Sequence, residues 1–167
     1  MATTRMTVTA PVGAAEGEAL SDDSFQGRLL QGVSRTFALT IPQLPPRLAK
    51  VVSNGYLLCR IVDTIEDEPA LTPAQKQVFC DRFVAVVAGR APAAAFAAEL
   101  APLLSDHTLP ASRALIRRTP RVIAISHAFT AAQREALESC VAVMSGGMSE
   151  FQQRSSTAGL AHLSEMD

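Results

Sequence analysis

Three acids and one arginine interrupt an otherwise apolar stretch at residues 56–67, which reads YLLCRIVDTIED. Such charges need partners, because an unpaired carboxylate in an apolar interior costs several kcal/mol. At roughly 100° per residue, four polar side chains fall on one narrow stripe of a helix, with Glu66 at its edge. The four are Tyr56, Arg60, Asp63 and Asp67. The pattern predicts a buried helix whose polar stripe lines a cavity.

The acids of this stripe suit a hard divalent cation. Asp63 and Asp67 are separated by about 6 Å along a helix axis, so they can present oxygens to one ion or to a pair of ions. Mg²⁺ prefers oxygen ligands and is commonly held by one or two carboxylates together with substrate phosphates. Arg60, one turn earlier, would then meet the phosphate. The alternative is a solvated helix face on which Arg60 pairs with Asp63 or Glu66, and spacing alone leaves both interpretations open.

Two further segments accompany the acidic helix. Residues 34–37 read SRTF and residues 147–151 read GMSEF. Together with the D-x-x-E-D pattern at residues 63–67, they resemble the squalene and phytoene synthase family in type, order and spacing. The resemblance covers nearly the whole chain after about Asp22. A non-catalytic helical module, with the acids in internal salt bridges or on a partner surface, is the alternative of a different class.

The resemblance implies an all-α fold, the N-terminal portion of an isoprenoid synthase helical bundle. It also implies the head-to-head condensation of two prenyl diphosphates with Mg²⁺. Residues 144–167 are most similar to the squalene synthases of the family. These convert two molecules of farnesyl diphosphate through presqualene diphosphate to squalene with NADPH. Phytoene synthase and presqualene diphosphate synthase share the first motif and are the alternatives within the family.

The resemblance also assigns roles to individual residues. Ser34 and Tyr56 have ordinary alternatives as a local helix cap and a core tyrosine, and Arg35 could instead pair with an acid. The apolar positions are equally typical of a core stripe. The implied metal ligands are Asp63, Glu66 and Asp67; the diphosphate ligands are Ser34, Arg35 and Arg60; the catalytic residues are Tyr56 and Arg60; and the prenyl-chain pocket comprises Phe37, Met144, Met148 and Phe151.

Composition and length set further limits. Hydrophobic residues make up 48% of the 167 residues, enough for a core, and the net charge of −1 gives no reason to expect nucleic-acid binding. No run approaches the roughly 18 apolar residues that span a bilayer. We expect a monomer that is cytoplasmic or peripheral to the membrane, with membrane association serving product release. The three cysteines lack a C-x-x-C pair, so free thiols are expected.

The chain divides into a disordered tail at residues 1–20 and a domain portion at residues 21–167. Family members carry a second aspartate-rich motif downstream of the position where this sequence ends. We therefore expect the chain to be an N-terminal fragment that binds substrate weakly and does not turn it over.

Helix boundaries follow from caps and prolines. Ser24 is expected to cap the first helix, and Pro46 suits a first helical position. Capping boxes beginning at Thr72 and Thr130 open two further helices. Pro120 is expected to break the helical stretch between residues 111 and 128.

Overall fold

The computed structural model describes residues 20–154, with side chains described up to residue 147. The predicted tail therefore lies outside the described residues, except for Leu20. The side chains of Met148 and Phe151 also lie outside them, so their predicted place in a prenyl-chain pocket stays a prediction.

The described part of the chain is helical, as the sequence predicts. It contains eight α-helices and two short 3₁₀ segments, and no strand. The α-helices are α1 (Asp22–Val33), α2 (Arg35–Thr40), α3 (Pro46–Glu66), α4 (Pro73–Val87), α5 (Ala93–Leu100), α6 (Pro110–Arg117), α7 (Thr119–His127) and α8 (Ala131–Arg154); the 3₁₀ segments are Ile41–Gln43 and Ala101–Leu103.

Local signals set most of these boundaries. Pro46 begins α3, and both capping boxes are confirmed. In the first box Thr72 accepts from the backbone N–H of Gln75, and the Gln75 side chain accepts from the backbone N–H of Thr72. Each box fixes the first turn of a helix that then packs against α3.

Two boundary predictions are wrong by a few residues. Ser21, not Ser24, caps α1, because the Ser21 side chain accepts from the backbone N–H of Ser24. The break between α6 and α7 falls at Arg118, and Pro120 lies in the first turn of α7. Proline is well tolerated there because the first helical N–H groups have no intrahelical acceptor.

Helix α3 is the centre of the bundle and packs against α1, α4, α6, α7 and α8. Its apolar side is fully buried, and Leu57, Leu58 and Ile61 each have 0% exposure. Aromatic side chains from α4 and α5 extend the same core, with the Phe83 and Phe96 ring centroids 5.2 Å apart. Burial of this side leaves the polar stripe on a different, more accessible face of α3.

A buried amide network ties three helices together. The Gln26 side chain of α1 donates to Asn54 Oδ1 of α3 at 2.9 Å, and Asn54 Nδ2 donates to Ser126 Oγ of α7 at 2.6 Å. Asn54 Nδ2 also donates to the Val122 carbonyl at 3.3 Å. Asn54 is fully buried, so its polar atoms depend on these partners.

Replacing Asn54 with Ala should therefore lower the free energy of unfolding by about 2 kcal/mol, because buried groups of Gln26 and Ser126 lose their partner. Urea denaturation would measure the change. Ser53→Ala, a change on the neighbouring half-buried position, is the matched control and should cost under about 0.5 kcal/mol. Equal losses for the two variants would contradict the role of the network.

Among the described residues, no helix combines the length and the apolar character that crossing a bilayer requires.

Candidate functional site

The polar stripe of α3 borders a cleft. Arg60 and Asp67 line this cleft, which has a volume of about 180 Å³. Its other lining residues lie on α3, on α6 and in the loop before α6, so two helices and one loop form the cleft. Those lining residues are Thr64, His107, Thr108, Leu109 and Ser112.

Arg60 is the central cation of the site. Its Nη1 atom lies 3.5 Å from Asp63 Oδ2, one turn along the helix. Its Nε atom is buried and has no hydrogen-bond partner in the structure. A guanidinium with an unmet buried donor is suited to an anionic ligand, because phosphate oxygens can satisfy several of its N–H groups at once.

Asp63 is partly exposed, with 32% of its side chain accessible, and its ionised form is disfavoured in the folded chain. Burial raises the pKa of its carboxyl; Arg60 opposes this shift and the charge of Asp67 adds to it. A cation bound between Asp63 and Asp67 would therefore stabilise the ionised form of Asp63. This like-charge pair fits a divalent cation in its donor chemistry.

The sequence predicts Glu66 at the edge of the cavity-lining stripe, but the structure buries this residue. Only 6% of the residue is exposed, and the Cys80 thiol of α4 lies 3.6 Å from Glu66 Oε1 and donates to it. Burial and the neighbouring Glu66 raise the pKa of Cys80 to about 12. The edge of the stripe is covered because α4 and α8 both pack against α3. The metal-ligand role of Glu66 stays a prediction, and in this arrangement its carboxyl group is buried and accepts from Cys80.

Within the described residues, no group of three or more histidine, cysteine or acidic side chains could hold a metal ion. Of the three predicted metal ligands, Glu66 is buried, Asp63 is partly exposed and Asp67 is exposed. Asp63 and Asp67 are thus the two that remain accessible. Two carboxylates suffice for Mg²⁺ where substrate phosphates and water complete the shell.

The segment at residues 34–37 meets the same helix. Ser34 Oγ accepts from the backbone N–H of Phe37 at 3.3 Å and so caps α2, the ordinary alternative for this residue. The Phe37 ring packs on Tyr56, with centroids 4.5 Å apart, which brings this segment to the beginning of the stripe. Phe37 is 45% exposed and Arg35 is exposed, so both are available to a ligand.

Met144 of α8 is half-buried and packs against the hydrophobic core. Its contacts are those of an ordinary core residue, and its place in a prenyl-chain pocket stays a prediction.

The sequence reasoning missed Glu68, which accepts hydrogen bonds from the loop that lines the far side of the cleft. Glu68 is 1% exposed and accepts from the backbone N–H of Ala70 at 2.9 Å, from that of Ser105 at 3.0 Å, and from the Thr108 hydroxyl. Burial alone would raise the pKa of Glu68, but these hydrogen bonds lower it to about 2. The polar run SDHT at residues 105–108 is the sequence signal for this contact, because a buried acid needs hydrogen-bond donors and this run offers them.

A second cleft, of about 340 Å³, lies between α1, α2 and the beginning of α3. None of the predicted site residues lines it, and its Lys50 pairs with Asp23 at 3.3 Å. Of the predicted site residues, Arg60 and Asp67 line the smaller cleft.

The helical bundle, with an acidic helix at its centre, defines the class as an all-α isoprenoid synthase fold. The family model described as squalene/phytoene synthase matches residues 30–165. The chain belongs to the squalene/phytoene synthase family, a family of prenyl transferases.

Similar proteins include three squalene synthases. The squalene synthase of Solanum lycopersicum is 49% identical over 43 residues, which is 26% of this chain and 10% of that protein. The squalene synthase of Eremothecium gossypii is 43% identical over 49 residues, 29% of this chain and 11% of that protein. Squalene synthase LSS of Botryococcus braunii is 48% identical over 44 residues, 26% of this chain and 10% of that protein. The matched part thus spans about a tenth of each relative.

Proposed function

We propose that this chain binds a prenyl diphosphate together with Mg²⁺ at the polar stripe of α3, as part of a squalene synthase-type prenyl transferase. The carrying observation is the cleft that Arg60 and Asp67 line, with a buried Nε on Arg60 that has no partner. Family membership supports the substrate class. The squalene synthase names of the similar proteins favour farnesyl diphosphate as the substrate and squalene as the product, with NADPH as the reductant.

In this proposal Asp63 and Asp67 hold the metal, and Glu66 would join them only after leaving Cys80. The bound metal supplies positive charge that stabilises the departing diphosphate. Arg60 adds charge from the protein and orients the diphosphate through its planar fork of donors. Ser34 and Arg35 lie on the segment whose Phe37 packs against Tyr56 of α3, and in this proposal both contact a phosphate group.

Tyr56 lies at the boundary between the charged and the apolar parts of the site. Its ring packs against Phe37 and is half-buried, while its position on the stripe aligns it with Arg60. In the proposed reaction Tyr56 orients the diphosphate and Phe37 and Met144 cover the prenyl chain, while the same role for Met148 and Phe151 stays a prediction from the resemblance. Excluding water there protects the allylic cation from hydrolysis. An apolar product would favour association with the membrane surface for its release.

A thermal-shift measurement with farnesyl thiodiphosphate, a slowly ionising analogue, tests the proposal. At a free ligand concentration of about 100 times Kd, binding should raise the free energy of unfolding by about 2.7 kcal/mol. We expect this stabilisation only when Mg²⁺ and the analogue are present together. Asp63→Asn should abolish it while changing the stability of the unliganded chain by under about 0.5 kcal/mol.

Glu135→Gln, which removes an exposed acid on α8, is the matched control and should keep the full stabilisation. A chain that ignores the analogue and Mg²⁺ would instead support the non-catalytic helical module. Phytoene and presqualene diphosphate synthase are the alternatives within the family. Product analysis of a full-length protein that contains this chain, with farnesyl diphosphate and Mg²⁺ and with or without NADPH, separates them, because only squalene formation consumes NADPH.

A further inference from the structure

Two cysteines on neighbouring helices lie in contact. Cys59 of α3 is half-buried, Cys140 of α8 is exposed, and their Sγ atoms are 3.8 Å apart. A disulfide requires about 2.05 Å between the sulfurs, so the pair must close by about 1.8 Å. Cys80, the third cysteine, is fully buried and donates to Glu66, so it has no comparable partner thiol among the described residues.

Helices α3 and α8 pack against each other beside this pair, with the Leu137 side chain of α8 lying against Gly55 of α3. A Cβ atom placed on Gly55, one turn before Cys59, would lie only 3.0 Å from Leu137 Cδ2, one turn before Cys140. The absence of a side chain at Gly55 therefore lets the two helices come together. Closure of the thiol pair needs rotamer changes and a small helix shift, with no rearrangement of the bundle.

We propose that Cys59 and Cys140 form a reversible disulfide that clamps α3 to α8 and regulates the neighbouring ligand site. Asp63 lies one helical turn beyond Cys59, so a shift of α3 moves the stripe relative to α8. The regulatory consequence rests on the proposed function, whereas formation of the bond does not.

The oxidant we name is a low-molecular-weight disulfide such as oxidised glutathione. Cys140 Sγ, the exposed sulfur, attacks one sulfur of the oxidant as a thiolate, and one glutathione thiolate leaves. Cys59 Sγ then attacks Cys140 Sγ, and the second glutathione thiolate leaves. The two protein thiols are oxidised, the oxidant is reduced to two thiols, and the two protein protons end on those thiols. Burial, Cys140 and Asp63 raise the pKa of Cys59 to about 12, which agrees with Cys140 reacting first.

Mass spectrometry of the full 167-residue chain tests bond formation. After treatment with oxidised glutathione and alkylation under denaturing conditions, we expect one free thiol, at Cys80. Before alkylation, the intact mass should be about 2 Da below that of the chain reduced with dithiothreitol. Cys80→Ser should still form the bond, and Cys140→Ser should not. Persistent glutathione on Cys140 with Cys59 still free would overturn the proposal, as would a bond that involves Cys80.

Titration with Mg²⁺ and farnesyl thiodiphosphate tests the regulation. The oxidised chain should bind the analogue at least about 3-fold more weakly than the reduced chain, and Cys140→Ser, which lacks the sulfur that reacts first, should bind equally under both conditions. Equal affinity of the oxidised and reduced wild-type chains would overturn the regulatory role and leave the bond standing. A reduced chain that does not bind the analogue would instead overturn the proposed function, while the mass measurement still decides on the bond.

Discussion

Replacing Glu68 with Ala should lower the free energy of unfolding by about 3 kcal/mol and open the cleft beside Arg60. The Glu68 carboxylate is buried and accepts hydrogen bonds from Ala70, Ser105 and Thr108. Its removal leaves the two backbone N–H groups and the hydroxyl without an acceptor, and each unmet donor costs about 1 to 3 kcal/mol where it stays buried. Urea denaturation at neutral pH would measure the loss.

The same residue predicts a loss of stability in acid. The pKa of Glu68 is lowered from 4.5 to about 2 in the folded chain, so the unfolded chain binds the proton more readily. The contribution of Glu68 is complete above pH about 5 and is lost as the pH falls towards about 2. The shift corresponds to about 3 kcal/mol.

Glu68→Gln should remove this acid dependence, because its side chain does not titrate. The variant should therefore be less stable than wild type at pH 7 and approach it near pH 2. Glu135→Gln, at an exposed position, should reproduce the wild-type pH profile. Parallel pH profiles for wild type and Glu68→Gln would show that Glu68 carries no such linkage.

Replacing Arg60 with Lys should weaken binding of farnesyl thiodiphosphate in the presence of Mg²⁺ about 30-fold, or about 2 kcal/mol. The substitution keeps the positive charge, so the loss would measure geometry alone. Arginine presents a planar fork that can engage two phosphate oxygens, whereas lysine offers a point charge. The buried Nε of Arg60 would also be absent from the variant. Isothermal titration calorimetry would give both affinities.

Arg117→Lys, at an exposed position on α6, is the matched control and should bind as wild type does. The free energy of unfolding distinguishes a lost contact with the ligand from damage to the fold. Arg60→Lys keeps a cation 3 residues from Asp63, so the unliganded variant should unfold within about 0.5 kcal/mol of wild type. An affinity within 3-fold of wild type, by the same titration, would rule out a forked contact between Arg60 and the diphosphate.

The fold could be predicted from sequence where a local signal decides the structure. The capping boxes at Thr72 and Thr130 and the proline at residue 46 each satisfy or remove N–H groups of a first turn, so tertiary contacts have little influence on them. Ser24 was misassigned because Ser21 offers the same cap chemistry three residues earlier. The break near Pro120 was misplaced because proline both ends helices and begins them.

Helical periodicity predicts only the part of the site that lies on α3 itself. The spacing of Arg60, Asp63 and Asp67 follows from the helix itself, and the structure brings Arg60 beside Asp63 and places Arg60 and Asp67 on one cleft. The burial of Glu66 depends on how tightly α4 and α8 pack against α3, which no local pattern states. The role of Glu68 depends on a loop almost forty residues away in sequence, at Ser105 and Thr108.

Four acids follow one another at positions 63, 66, 67 and 68, yet they are not four equivalent negative charges. Glu66 and Glu68 point their oxygens at protein donors, one on α4 and one on the loop before α6. The protein itself supplies donors to these two, whereas Asp63 is partly exposed beside Arg60 and Asp67 is exposed. Counting acids at the end of this helix would therefore overstate about twofold the number of carboxyl groups open to solvent, because Glu66 and Glu68 are buried whereas Asp63 is partly exposed and Asp67 is exposed.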